Sequence, residues 1–193
     1  MKIAIVNYNA GNVQSVEFAL NRLGIAPILT DDPDELRNVD KVIFPGVGEA
    51  SSAMKYLKER GLDQVLVSLK QPFLGICLGM QLMCSYSEEN NTDCLGIFDL
   101  KVKKFPPEDK VPHMGWNKLS DLNSPLLMGV NENDYVYFVH SYYAELGEET
   151  NCTSNYILPF SAGLQKNNFY GFQFHPEKSS DVGAQILKNF IEL

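Results

Sequence analysis

Cys77 lies between two glycines in Gly75-Ile-Cys-Leu-Gly79, where the apolar run Pro72-Phe-Leu-Gly-Ile76 meets a helical pattern through Leu78, Leu82, Met83 and Tyr86. This has the form of a nucleophile elbow, G-x-C-x-G in place of the serine version. A tight strand-to-helix turn needs small neighbours two residues either side of the nucleophile, and it sets the side chain at a helix N-terminus. Unpaired N–H groups and the helix dipole favour a thiolate in such a place. Taken alone, Cys77 also reads as a small buried hydrophobe, the usual fate of a free cysteine. A thiolate nucleophile needs a proton acceptor, and an imidazole needs a third group to orient it. The chain has three histidines: His113 in Pro112-His-Met-Gly-Trp-Asn117, His140 in Tyr137-Phe-Val-His-Ser-Tyr142, and His175 in Phe172-Gln-Phe-His-Pro-Glu177. His175 sits at a strand-to-loop junction, where open α/β sheets place their chemistry. Pro176 stops the strand there, and Glu177 can reach back to the imidazole. As an isolated tripeptide, His-Pro-Glu is a turn with a surface carboxylate. Beside a cysteine elbow it reads as the rest of a Cys–His–Glu triad.

Pro45-Gly-Val-Gly48 follows another expected parallel strand, so its loop should open at the same sheet edge as Cys77. Side-chain-poor backbone beside a nucleophile suits an oxyanion hole, with the amide of Leu78 as the second donor. The plainer reading is a β-turn, because Pro-Gly is a common turn dipeptide. The loop lacks both the full G-x-G-x-x-G and the Walker lysine of phosphate-binding loops. No two histidines stand at helix or hairpin ligand spacing, so no metal is expected; no cofactor is expected either.

The elements that must hold these residues read as α/β. Ile3 to Val6 is a buried strand, Val13 to Leu23 a helix stopped by Gly24, and Ile25 to Leu29 a second strand. Asp32 should cap a helix with Pro33 at its first position and Glu35 three residues after the cap. Lys41 to Phe44 is a third strand, helical patterns cover 49–60 and 62–70, and the strand into Cys77 follows. Alternation of this kind gives an open, mostly parallel sheet with helices on both faces. The second half changes character. Residues 96–105 and 111–119 read as extended, Ser124-Pro125 opens a short helix, and Tyr135 to Glu145 reads as one long strand. Strands at 152–157, 161–165 and 169–174 form an antiparallel C-terminal extension, with Lys166-Asn-Asn168 as a hairpin turn. Ser179 or Ser180 caps a closing helix. Residues 1–193 read as a single domain.

The 193 residues suffice to bury roughly 70% of the unfolded surface without a disulfide or metal staple. A net charge of -8 argues against a nucleic-acid surface and against an anionic membrane. Four apolar residues near the start are too few for a signal peptide. Cys77, Cys84, Cys94 and Cys152 have no C-x-x-C spacing, so they read as reduced thiols in a cytoplasmic protein. The glycosylation-like Asn90-Asn-Thr92 and Asn151-Cys-Thr153 are then accidental.

Gly-Ile-Cys77-Leu-Gly-Met-Gln81 together with His175-Pro-Glu177 resembles the triad (class I) glutamine amidotransferases. Pro45-Gly-Val-Gly48, Pro112-His-Met-Gly-Trp-Asn117, Tyr137-Phe-Val-His-Ser-Tyr142 and His175-Pro-Glu-Lys-Ser179 narrow the resemblance to glutaminase subunits of imidazole glycerol phosphate synthase, in histidine biosynthesis. The similarity runs from Ile3 to the last helix and implies a flavodoxin-like amidotransferase fold. It implies that Cys77 attacks the glutamine side-chain amide, that His175 moves the protons and that Glu177 orients His175. Gly46, Val47 and Leu78 would frame the oxyanion hole. Gln81 and Glu89 would hold the substrate's α-carboxylate and α-amino ends, helped by backbone at Ser141 and Tyr142. The family's partner is a (β/α)8-barrel cyclase forming a heterodimer with the glutaminase. It receives the ammonia and makes imidazole glycerol phosphate and an aminoimidazole carboxamide ribotide. Asn12, Met114, Trp116, Asn117, Tyr137 and Lys178 match positions at or near that interface. Two departures touch partner recognition: Asn9 stands where glycine is common, and Gln14 where arginine is frequent.

Three other readings stand beside this one. The same hydrolysis could feed another acceptor, such as an enzyme making an amidated sugar; neighbouring genes would separate the two. A non-catalytic scaffold conflicts with the intact Cys77, His175 and Glu177. A thiol peptidase or γ-glutamyl hydrolase would cleave peptides where a glutaminase releases ammonia from glutamine.

Overall fold

Short apolar runs become neighbouring strands because each can be covered on both faces by helices. The computed structural model describes residues 1–8 and 13–193, so Asn9 and Asn12 lie outside the described residues. The elements run β1 (Ile3–Val6), α1 (Val13–Arg22), β2 (Ile28–Thr30), α2 (Pro33–Arg37), β3 (Lys41–Phe44), α3 (Ala50–Glu59), α4 (Leu62–Ser68), β4 (Phe73–Ile76) and α5 (Leu78–Met83). Then follow β5 (Tyr86–Ser87), β6 (Thr92–Asp93), β7 (Lys101–Lys104), β8 (His113–Lys118), a 3-10 turn (Pro125–Leu127), β9 (Tyr135–His140) and β10 (Tyr142–Ala144). The chain closes with β11 (Thr150–Tyr156), β12 (Leu158–Lys166), β13 (Phe169–Phe172), a second 3-10 turn (Pro176–Lys178) and α6 (Ser180–Glu192).

The main sheet has the order β11-β12-β13-β4-β3-β1-β2. From β13 to β2 every pairing is parallel, whereas β11, β12 and β13 pair antiparallel. Two apolar layers sandwich it. Phe44, Leu57, Leu62, Leu66 and Phe73 fill one, under α3 and α4. Ile5, Leu20, Phe172, Ile186, Leu187 and Phe190 fill the other, under α1 and α6. Each such side chain contributes about 1.5–3 kcal/mol on burial. The α2 cap takes the expected form: the Asp32 carboxylate accepts from the amides of Asp34 and Glu35, and Pro33 opens the helix.

Five features differ from the sequence reading. The second strand starts later because the Gly24 and Ile25 amides donate to Asn21 and Leu20, closing α1, and Pro27 has no N–H for a ladder. Residues 95–98 are not strand. Their amides donate to the carbonyls of Leu82, Cys84 and Met83, satisfying the end of α5. The helix after Cys77 therefore stops at Met83, and Tyr86 belongs to β5. The expected long strand at 135–145 breaks at Ser141. Before the break, β9 pairs with β8; after it, β10 joins a second sheet of order β10-β7-β5-β6. Ser179 does precede α6, but its hydroxyl makes no cap bond; it donates to the His175 carbonyl and accepts from the Tyr137 amide.

Candidate active site

Cys77 carries φ 53° and ψ −111°, a conformation that L side chains rarely adopt and that costs on the order of 1–3 kcal/mol. Its amide donates to the Phe172 carbonyl on β13 at 2.8 Å, and its carbonyl accepts from Gln81 at 3.1 Å. The flanking glycines permit the turn. A Cβ at Gly79 would sit 1.8 Å from the Phe44 carbonyl oxygen, and one at Gly75 would meet the Met80 amide at 2.9 Å. No side chain fits at either position, so α5 can lie directly against β3 and β4.

β13 runs parallel to β4, which brings the chain beyond Phe172 to the same edge as Cys77. The His175 amide donates to the Tyr137 carbonyl at 2.9 Å, fixing the ring's backbone. Its Nδ1 lies 2.7 Å from Glu177 Oε1, with both side chains fully or almost fully buried. Burial disfavours the charged ring. The Cys77 thiolate and the Glu177 carboxylate outweigh it, pushing His175 up to about 10. Apart from the thiol, His175 Nε2 has no hydrogen-bond partner among the described residues. The arrangement is a sulfur, an imidazole beside it, and a carboxylate behind the imidazole.

Cys77 opens into a pocket of about 330 Å3, lined also by Val47, Leu78, Gln81, Glu89, Ser141 and Tyr142. Glu89 is half-buried. Burial raises its pKa, opposed by the Ala50 amide, which donates to Oε2 at 2.7 Å. Gln81 is buried, and its side-chain nitrogen donates to the Tyr142 carbonyl and to Gln173 Oε1, each at 2.9 Å. Those donors are committed within the protein, so what Gln81 has left for a ligand is its oxygen. Gly46 is buried, and its carbonyl accepts from the Leu78 amide at 3.3 Å. The two parts expected to frame an oxyanion hole are thus bonded to each other in this conformation.

The expected partner residues divide. Met114 and Trp116 are 62% and 51% exposed on one face of β8, and Trp116 meets its cross-strand partner Tyr137 edge-on at 6.0 Å. Trp116, Arg22 and exposed Lys178 line a cavity of about 450 Å3 that reaches Glu177. Asn117 falls on the opposite face of β8, by strand alternation, and its nitrogen bonds the Asn155 carbonyl and His113. It does not join the other four described ones, Met114, Trp116, Tyr137 and Lys178.

The sequence reading missed an inner layer. Gln173 is fully buried, and its nitrogen donates to Cys77 Sγ at 3.7 Å. His113 and His140 form a buried pair, Nδ1 to Nε2 at 3.1 Å. Burial pulls them down to about 4 and about 3. An amide between two phenylalanines, two residues before His175, was the available signal for Gln173. The other cysteines are of a different kind. Burial pushes Cys84 and Cys152 far up and Cys94 up to about 12. Cys84 ends α5 within the core.

A parallel α/β sheet with a cysteine elbow and a His-Pro-Glu turn at one edge defines a class. Residues 4–193 match the family model described as glutamine amidotransferase class-I. Among solved structures, a glutamine amidotransferase from Thermotoga maritima superposes with a TM-score of 0.67 at 19% identity, over 100% of this chain and 81% of that one. It shares the fold. A Bacteroides fragilis protein named imidazole glycerol phosphate synthase subunit HisH is 58% identical, over 100% of both chains. One of the same name from Blochmanniella floridana is 50% identical, again over 100% of both. The chain belongs to the class-I glutamine amidotransferases, and within them to the family of HisH subunits.

Proposed function

We propose that this protein hydrolyses glutamine to glutamate and ammonia as the glutaminase subunit of an imidazole glycerol phosphate synthase, in histidine biosynthesis. The observation that carries it is the line of three buried groups, Cys77, His175 and Glu177, with His175 Nδ1 2.7 Å from Glu177 Oε1. Cys77 Sγ attacks the side-chain amide carbon of glutamine. His175 gives its proton to the departing ammonia and leaves a γ-glutamyl thioester. The neutral imidazole then takes a proton from water, which releases glutamate and restores the thiolate–imidazolium pair. Glu177 holds the ring and its charge throughout. Glu89 receives the substrate's α-ammonium, and the backbone at Ser141 and Tyr142 borders the same pocket.

The tetrahedral oxyanion needs N–H donors where the Gly46 carbonyl now meets Leu78. Rotation of the Gly46–Val47 peptide would free the Leu78 amide and turn the Val47 amide toward Cys77. One such donor is worth roughly 3–4 kcal/mol of barrier. The resting glutaminase is accordingly slow until a partner moves that strand. The partner is a (β/α)8-barrel cyclase, which docks on Met114, Trp116, Tyr137 and Lys178 in a heterodimer and consumes the ammonia. Residues 1–193 act as one amidotransferase domain, in the cytoplasm.

Glutamate release from glutamine tests this: first with the chain alone, then with the cognate barrel subunit, then with the barrel's nucleotide ligand added. Release is low alone and rises strongly in the full mixture. Strong release that ignores the barrel would contradict the partner, and no release in any mixture would contradict the glutaminase.

A further inference from the structure

We propose that Gln173 is a positioning residue for the nucleophile: it donates a hydrogen bond to the Cys77 sulfur while its own carbonyl is held by Gln81. Gln173 Nε2 lies 3.7 Å from Cys77 Sγ, and its Oε1 accepts from Gln81 Nε2 at 2.9 Å. The Gln173 amide is anchored from behind, because its backbone N–H donates to the Ala162 carbonyl at 2.9 Å. It is 0% exposed, and water does not compete for either end of its side chain.

The direction of the bonds is fixed at the Tyr142 carbonyl, which faces both His140 and Gln81. The Tyr142 carbonyl can only accept, so His140 Nδ1, 2.8 Å away, carries the proton. A neutral His140 then accepts at Nε2, and His113 Nδ1 is the donor to it at 3.1 Å. His113 Nε2 in turn faces the Asn117 nitrogen at 3.4 Å. The same Tyr142 carbonyl also takes a bond from Gln81 Nε2, which sets that amide with its nitrogen toward Gln173. Gln173 must therefore present its oxygen to Gln81 and its N–H to the sulfur. An amide whose oxygen already accepts is the stronger donor at its nitrogen.

A donor at this place does two things for a thiolate. It stabilises the charge before attack, and it stabilises the same sulfur when the thioester is hydrolysed and the thiolate leaves. It also holds Sγ on the His175 side of the elbow. This deepens the glutaminase reading and rests on it for the kinetic arm only.

The experiment alkylates Cys77 with iodoacetamide across a pH series, in the complex with the barrel subunit, and follows the Cys77 peptide by mass spectrometry. Glutaminase kcat and KM are measured in parallel. Gln173→Leu keeps the volume and loses both bonds; Gln173→Glu keeps the shape and the acceptor for Gln81 but places negative charge beside the sulfur. In Gln173→Leu the alkylation profile moves up by about one pH unit and kcat falls about tenfold, the scale of one hydrogen bond to a charged group, with KM changed far less. In Gln173→Glu the profile moves further in the same direction. Thermal unfolding checks that each variant is folded, and Gln173→Glu alone suffices if the leucine variant is not. An unmoved alkylation profile, or a rise in KM alone, would overturn the proposal and leave Gln173 as a support for Gln81. Alkylation needs no glutamine, so a failed glutaminase and a failed Gln173 role give different results.

Discussion

His175 and His140 are both almost wholly buried, at 1% and 5% exposure, and both stand beside Cys77 at the ends of strands. Their protonation is opposite. His175 has a carboxylate at Nδ1 and a thiolate as its other neighbour, and it is pushed up to about 10. His140 has a carbonyl at one nitrogen and another imidazole at the other, and it is pulled down to about 3. Desolvation lowers both; the partners decide the outcome. One region holds its imidazole between a sulfur and a carboxylate, which favour the proton. The other keeps a neutral hydrogen-bond rail under the pocket wall, where a second nearby charge would weaken the imidazolium beside Cys77.

Breaking the charged side should cost most. His175→Asn removes the proton carrier, and glutamate release should fall by about 10³-fold or more. Glu177→Gln leaves the ring in place without its carboxylate. Release should fall by roughly 10²-fold, and histidine-resolved NMR should find the His175 titration moved down from about 10. A His175 titration in that variant no different from the wild type would break the assignment of charge to this pair.

The neutral side should show its effect in stability. His140→Phe leaves the His113 donor and the Tyr142 carbonyl each short of a partner, a loss of about 1–3 kcal/mol. The melting temperature should drop by roughly 2–4 °C per kcal/mol, with less than a tenfold change in turnover. The smallest effect is the pH dependence. His113 and His140 have folded pKa values below the ordinary 6.5, so the stability they confer is fully present above pH 6.5. It is lost as pH falls toward about 4 and about 3. His175 runs the other way: its contribution is complete below pH 6.5 and is lost as pH rises through about 10. Urea unfolding at a series of pH values should show the acid limb flattened in the double variant His113→Phe/His140→Phe. An unchanged acid limb would mean that the pair is not held neutral.

The meeting of Cys77, His175 and Glu177 was legible because the stretches that hold them carry local marks: glycines at two residues' distance from Cys77, and a proline that ends the strand at His175. The parallel pairing of the first strands followed from helix–strand alternation, and the α2 cap from Asp32 and Pro33. Where β2 begins and where the 135–145 run breaks were not legible. Both depend on which carbonyls need donors, as when 95–98 turns back to satisfy the end of α5. The Gln173–Gln81–His140–His113 chain was invisible for the same reason: its members are scattered along the sequence and meet only through the sheets. Asn117 looked like its neighbours Met114 and Trp116, and only strand alternation turns it inward.

The most direct test is to mix the complex with glutamine, quench in acid, and weigh the peptide that contains Cys77. A γ-glutamyl group should be added on Cys77. In Cys77→Ala neither the adduct nor glutamate above background should form, with the partner complex intact. Glutamate still released by Cys77→Ala, or an adduct on Cys84 in place of Cys77, would contradict a Cys77 nucleophile.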